Sequence, residues 1–301
     1  MSDSSGASTR IAIAIATVGR PEVLQAALRW LGHQFRLPDA VYVCAPTKDD
    51  LAVRGTHIEA TVILGHRGSS PQRNAIIAAA RNYDILLFLD DDFFPDVAYL
   101  AEIEKLFQAE PDVVIATGNV VLDGIMGPGV SIEQAKAILE TRQYQEANEP
   151  PLRDVYNGYG CNMAVRNAAL RESGILFDEK LPLYAWLEDV DFSRRLSAYG
   201  RIVKLNSARG IHLGVKRGRQ RGELLGYSQI ANPIYLARKG TLSWPRALRQ
   251  IGKNVAANCL KSIRPEQYVD RRGRLRGHIF ALCDLSVGRL HPERVLDLAG
   301  R

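Results

Sequence analysis

Apolar residues recur in two periods along this chain. In "RIAIAIATVGRP", isoleucines at 11, 13 and 15 alternate with alanines, so both faces are apolar, as in a strand covered on both sides. Gly19 and Pro21 end that run, and "PEVLQAALRWLGHQ" follows at helical spacing, with Pro21 suited to a first helical turn. "AVYVCA" and "ATVIL" predict two more strands. "SPQRNAIIAAARN" predicts a helix capped by Ser70 with Pro71 at its start, and "YDILLFLD" a fourth strand. A helix over about 97–108 leads into the strand-like "DVVIATGNVVL" and the polar-faced helix "SIEQAKAILETRQYQE". "NGYGCNMAVRNAAL" reads as a strand entering a short helix, "AWLEDVDFSRRLSAYG" as a helix ending at Gly200, and "RIVKLNSARGIHLG" as a strand. Alternating strands and helices predict an α/β domain with a mostly parallel central sheet flanked by helices.

Charge divides the chain further. The net charge is +6, but the segment from Lys216 onward holds 18 Lys and Arg against 6 Asp and Glu, so a +12 tail follows a body of −6. The basic stretch "KRGRQRG" marks the boundary. Beyond it, Trp244, Leu248, Ile251, Val255, Cys259 and Ile263 recur at helical spacing after Ser243, a cap candidate, with Arg249, Lys253 and Lys261 between them. That helix either docks on the body or lies on an anionic membrane surface. The four cysteines are scattered without a CxxC pair, which fits reduced thiols in the cytoplasm. "MSDSSGASTR" has no apolar core of a signal peptide, and no run approaches the length of a membrane span.

The chemistry concentrates in acidic residues. In "LLFLDDDFFP", Asp90, Asp91 and Asp92 follow an apolar strand directly. Adjacent carboxylates repel and are costly near apolar surface unless a cation or hydrogen-bond donors compensate them. The carboxyl end of a parallel strand is also where open α/β sheets bind ligands. Oxygen donors there suit Mg²⁺ or Mn²⁺, while a solvated acidic turn or a helix cap would need neither. A second cluster, "LEDVDFSRRL", carries Glu188, Asp189 and Asp191. Asp191 and Arg195 stand four apart and read as a surface ion pair.

In order, "TVGRP", "GSSPQRN", "FLDDD", "GCNMAVR", "LEDVDFSRRL" and "IHLG" resemble a family 2 glycosyltransferase over roughly residues 10–214. The resemblance implies the GT-A fold, with a Rossmann-like sheet, divided into a nucleotide-sugar-binding half (10–118) and an acceptor-binding and catalytic half (119–215). The charge and the helical spacing beyond it predict a basic helical C-terminal extension (216–301). The resemblance further implies inverting transfer of a sugar from a nucleotide-diphosphate donor to a sugar or lipid-linked acceptor, with Mn²⁺ or Mg²⁺, as in polysaccharide or glycolipid biosynthesis. Carried over by position, Thr17, Gly19, Arg20, Arg73, Asp90 and Asp91 serve the donor. Asp90, Asp92 and His212 hold the metal, Asp189 is the general base, and Asn162, Trp186 and Glu188 lie on the acceptor side. Arg217, Arg219 or Arg221 would add charge beside the leaving diphosphate. The chain departs from the family in "VCAPTKDD", where Cys44 stands at the place of a base-reading Asp, and Asp49 and Asp50 come later. The base, sugar, acceptor and linkage stay open.

Two other classes compete. A sugar-phosphate nucleotidyltransferase would open with a glycine-rich loop that "ATVGRPEVL" does not match. A nucleic-acid binder would explain the basic tail and the pI of about 9.2, but the body is acidic and no nucleic-acid-binding motif is present, so no nucleic-acid partner is expected. The expected location is cytoplasmic, peripheral at the inner membrane face if the tail helix lies on lipid.

Overall fold

The isoleucine and alanine alternation of the first strand sets the layers of the molecule. A computed structural model describes residues 9–51, 58–142, 149–216 and 221–299. In β1 (Ile11–Ala16), Ile11, Ile13 and Ile15 point into one core with Leu24 and Leu28 of α1 (Pro21–Leu31). Ala12 and Ala14 point into the opposite core, against Ile76 and Ile77 of α2 (Ser69–Ala79). Each fully buried Ile or Leu contributes about 1.5–3 kcal/mol, so both faces of the strand must stay covered. β2 (Ala40–Ala45), β3 (Ala60–Leu64) and β4 (Ile85–Asp90) join β1 in parallel.

The chain then crosses to the far side of the sheet. The remaining strands are β5 (Phe93–Pro95), β6 (Val113–Asp123), β7 (Leu152–Asp154), β8 (Asn162–Arg166) and β9 (Arg201–His212). The order is β3-β2-β1-β4-β8-β6-β9-β5, with β7 also on β9. β8 runs antiparallel between β4 and β6, β6 and β9 are parallel, and β5 and β7 are antiparallel to β9. The expected halves therefore share one sheet, and β6 runs across their boundary. α3 (Tyr99–Ala109) covers the α1 face. α5 (Asn167–Ser173) and α6 (Glu188–Leu196) cover the α2 face through Leu170, Phe192 and Leu196. α4 (Ile132–Thr141) lies outside β6 and β9, with Ala135 and Leu139 packed near Ile211 and Leu213.

Three expectations about boundaries are corrected. α2 starts at Ser69 behind Gly68, so Ser70 is a buried residue of the first turn and not the cap. α6 starts at Glu188, because Leu183, Ala185 and Leu187 adopt left-handed backbone conformations that a helix cannot contain. α4 ends at Thr141, and the rest of "TRQYQE" beyond Arg142 lies outside the described residues.

Among the described residues, the tail forms four helices, α7 (Gly222–Lys239), α8 (Trp244–Lys261), α9 (Arg271–Ser286) and α10 (Arg294–Ala299). α7 is buried almost all round, between the body and the other tail helices. Glycines bring α7 and α9 together: a Cβ on Gly226 would lie 2.1 Å from the Arg274 carbonyl oxygen, and one on Gly277 2.1 Å from that of Glu223. Backbone cannot yield as a side-chain tip can, so Gly277→Ala is expected to cost about 1–3 kcal/mol, as overpacking does. A lowered midpoint in urea unfolding would register it; an unchanged midpoint would contradict this packing.

α8 divides the two readings of the tail helix between its faces. Ala247, Ile251, Val255 and Asn258 turn inward, while Trp244 is 47% exposed and Leu248 60%; Ile263, expected in the same stripe, lies beyond the helix end at Lys261. Among the described residues, no helix is long and apolar enough to cross a membrane.

Candidate active site

The site begins where β4 ends. Antiparallel pairing of β5 with β9 puts Phe93 opposite His212, which carries the imidazole to the aspartate run. His212 Nε2 lies 3.3 Å from Asp92 Oδ1 and 3.9 Å from Asp90 Oδ2. One ligand atom from each of the three residues falls within 4.8 Å of the others, a geometry able to hold a metal ion. The other ring nitrogen is committed, since Nδ1–H donates to Asp123 Oδ1 at 2.9 Å, and the Tyr159 hydroxyl donates to Asp123 Oδ2 at 2.9 Å. A histidine fixed in this way presents a single nitrogen to a metal. Burial works against charge on His212, but Asp123 and Asp92 outweigh it and raise its pKa to about 10. Burial also opposes ionisation of Asp92, yet His212, Arg20 and the Val215 N–H hold its carboxyl well below the usual range.

Asp91 has a different place from its neighbours. It is fully buried, accepts the Thr17 hydroxyl at 2.5 Å and pairs with Arg20 Nη2 at 2.6 Å. Burial pushes its pKa up to about 7 despite Arg20. The expected donor contact from Asp91 is therefore revised to a brace that shapes the β1–α1 loop. Arg20 also bonds Asp92 at 3.2 Å, so its charge compensates the aspartates. Gly19, at φ 67°, turns that loop and donates its N–H to Asp50 Oδ1 at 2.6 Å. Asp50 further accepts the Thr47 N–H and hydroxyl, which spends its carboxylate on loop structure. Gln72 Nε2 donates to the carbonyls of Thr17 and Cys44 at 2.9 and 2.6 Å and ties the first two strand ends together.

The acidic pair at the start of α6 is split by function. Glu188 is buried and accepts Arg73 Nη1 at 2.6 Å; Arg73 Nη2 reaches Asp90 Oδ1 at 3.1 Å and the Gly160 carbonyl at 2.9 Å. Arg73 is thus a clamp between the two acidic clusters. Burial pushes Glu188 up to about 8 against the pull of Arg73. Asp189 is only partly covered, and its oxygens accept the Gly160 and Val190 N–H groups at 3.1 and 2.8 Å. Burial raises its pKa above the ordinary aspartate value, which improves it as a base. Asp191, expected in a surface pair, is fully buried and holds Arg195, Lys239 and Thr241 together, because the tail covers that face of α6.

These groups border one cleft of about 680 Å³. Thr17, Arg20, Arg73, Asp90, Asp92 and His212 line one part, and Trp186, Glu188 and Asp189 another, with Arg221 and Leu224 of the tail at the wall. Gly19, Asp91 and Asn162 do not line it. Asn162 is fully buried in β8, where its Oδ1 accepts the Thr117 hydroxyl at 2.6 Å, so its expected acceptor contact is revised. Arg217 and Arg219 lie outside the described residues. Sequence reasoning passed over Asp123, Tyr159 and Gln72. Asp123 had a signal, since it ends a strand in "VVLDG" much as Asp90 ends "LLFLD". Asp123→Ala is expected to weaken Mn²⁺ binding tenfold to a hundredfold, as loss of a histidine's orienting partner does. Calorimetric titration of Mn²⁺ into the folded variant measures this, and wild-type affinity would contradict it.

No family model matches the chain, and no curated protein matches it. Solved structures do. TarS from S. aureus, residues 1–349 in complex with UDP, is 15% identical at a TM-score of 0.51, over 76% of this chain and 66% of that one. The same fragment with UDP-GlcNAc is 14% identical at 0.51. The chain spans only 40% of the longer TarS structure. The mannosyltransferase PcManGT from Pyrobaculum calidifontis, in complex with GDP-Man and Mn²⁺, is 14% identical at 0.53, over 98% of this chain and 87% of that one. The fold is therefore of the GT-A type.

Proposed function

We propose that the chain is a metal-dependent, inverting glycosyltransferase of family 2 type, which moves a sugar from a nucleoside diphosphate to an acceptor hydroxyl. The observation that carries this reading is the Asp90–Asp92–His212 cluster in one cleft with a partly covered carboxylate, Asp189. The structural neighbours hold UDP, UDP-GlcNAc and GDP-Man, which supports a nucleotide-sugar donor. Two carboxylates and one imidazole make an oxygen-rich donor set suited to Mn²⁺ or Mg²⁺. Such a cation, when bound, supplies positive charge to the departing diphosphate.

The residues of the chain do the rest. Asp189 accepts the proton of the acceptor hydroxyl as that oxygen attacks the anomeric carbon. The bond from that carbon to the diphosphate oxygen breaks on the opposite face, so configuration inverts. Arg67 and Arg221 at the cleft add charge near the leaving group. Arg73 keeps Glu188 occupied, which leaves Asp189 as the base. A thermal-shift screen of nucleoside diphosphates with and without Mn²⁺ tests the reading. A ligand at 100 times its Kd adds about 2.7 kcal/mol of stability, and no response to any nucleotide would end the proposal.

The exposed face of α8 supports a peripheral site on anionic membrane, for a lipid-linked acceptor. Of Arg246, Arg249, Lys253 and Lys261 on this helix, two are committed elsewhere: Arg246 stacks on Tyr156 at 4.0 Å, and Lys261 pairs with Glu266 at 2.8 Å. Arg249 and Lys253 are exposed beside Trp244 and Leu248, and α9 adds exposed Arg272 and Arg276. Each basic residue near such a surface contributes about 1 kcal/mol. Co-sedimentation with phosphatidylserine vesicles at low salt, lost in Arg249→Glu/Lys253→Glu, is the expected result. Failure of the full-length protein to sediment would leave α8 as a docked helix only.

A further inference from the structure

The turn before α6 is strained at three alternate residues. Leu183, Ala185 and Leu187 have φ of 61°, 51° and 74°, and none is glycine. A side chain in this region meets its own backbone, so such residues persist only where their surroundings over-determine them. The turn lines the cleft through Leu183, Tyr184, Trp186 and Leu187 and leads straight into Glu188 and Asp189.

At its start the turn is held by α2, whose Ser69 N–H donates to the Leu183 carbonyl at 2.9 Å; the rest of the restraint comes from α7, on the far side of the chain's charge boundary. Asn232, 2% exposed, donates Nδ2–H to the Trp186 carbonyl at 2.7 Å. The Tyr235 hydroxyl and Lys239 Nζ donate to Asp178 Oδ2 at 2.8 and 2.5 Å. Lys239 Nζ and the Thr241 hydroxyl reach the two oxygens of Asp191 at 2.9 and 2.7 Å. α7 and the residues just after it thus grip the segment before the turn, within it and after it. An apolar cluster seals the same contact, with Leu181, Ala185 and Val190 against Leu236, Ala237 and Leu242. Of these groups of the tail only Asn232 bonds the strained turn itself, at the peptide that joins Trp186 to Leu187.

We infer that Asn232 is a positioning residue: through the Trp186 carbonyl it holds the left-handed turn that sets the entry of α6 and with it Asp189. The tail is then a working part of the cleft. The inference takes the role of Asp189 from the proposed function, but its physical claim concerns the turn alone.

Hydrogen exchange read by mass spectrometry on the full chain tests that claim without any turnover. In Asn232→Ala, amides of 183–189 should exchange at least tenfold faster, while those of β1 and β4 keep wild-type rates. Adding Ala185→Gly should restore much of the protection, because glycine adopts the left-handed conformation without a Cβ clash. Ala185→Gly alone should slow exchange in the turn below the wild-type rate. If Asn232→Ala does not fold, Asn232→Asp, which keeps the size but lacks the Nδ2–H donor, is read in the same way. Mn²⁺-dependent stabilisation of the wild-type protein by UDP or GDP reads the proposed function separately. Wild-type exchange over 183–189 in Asn232→Ala, or no slowing in Ala185→Gly, overturns the inference. A lack of nucleotide response in the wild type would count against the proposed function and leave the exchange result decisive for the turn.

Discussion

Asp189→Asn is expected to reduce turnover by about 10²–10⁴-fold, the range that general bases contribute, and to leave donor affinity within about twofold. The amide keeps the size and one of the two acceptor oxygens that the Gly160 and Val190 N–H groups use, loses the other, and cannot take a proton. Donor binding involves no such transfer, so the loss belongs to kcat. The pH profile supplies a second signature. Burial raises the pKa of Asp189, and the base works only when ionised, so kcat/KM should fall on the acid side at a midpoint above the ordinary 3.8. That limb should disappear from the residual activity of Asp189→Asn. Retention of more than about a tenth of wild-type turnover would place the base elsewhere. Glu188→Gln serves as the contrast. It should damage the site through Arg73, which would keep an acceptor at 2.6 Å but lose its compensating charge, and thus weaken donor binding together with turnover.

Asp92→Asn is expected to abolish Mn²⁺-dependent stabilisation by nucleoside diphosphates while the protein still folds. Asp92 is the group on which the cluster converges: it meets His212, Arg20 and the Val215 N–H. The amide is nearly the same size, so packing survives, but the negative charge that a divalent ion needs is gone. Removing one member of a buried charge network leaves the others uncompensated and is commonly costly by 3–5 kcal/mol. A lowered melting temperature is therefore expected alongside the lost metal response, and circular dichroism establishes that the fold persists. His212→Ala should also lose the metal response. An unchanged Mn²⁺ effect in Asp92→Asn would exclude this residue as a ligand.

The body was legible because its strands are apolar on both faces and end in chemistry. β1 and β4 carry that pattern, and Asp90 and Asp92 stand at the cleft as their position in the sequence implies. The tail was less legible. α7 is buried on nearly every side and contains Pro233, so it has no one-sided apolar stripe and includes a residue that argues against a helix. The turn before α6 was misread as helix because nothing in "LPLYAWL" announces left-handed residues; that conformation comes from tertiary contacts. Asp91 could not be told from its neighbours by composition. Which of three adjacent carboxylates turns inward depends on Thr17 and Arg20, some seventy positions away. Asp123 took its role from β9, whose histidine it orients only once β6 and β9 are paired.

The pairing of Phe93 with His212 also governs the order in which the molecule comes to exist. Two of the candidate ligands lie almost a third of the way along the chain and the third 120 positions beyond Asp92, on a strand that joins the sheet beside β6. Closing so distant a pair carries a loop-entropy cost that nearby contacts do not, and topologies rich in such pairs fold slowly. A nascent chain that has emerged only through the aspartate run carries those carboxylates without the imidazole. In refolding from denaturant, the capacity to bind Mn²⁺ should therefore lag behind the recovery of helical signal and arrive with the last kinetic phase. The metal then reports the completed chain, and its binding draws the final equilibrium toward the closed sheet.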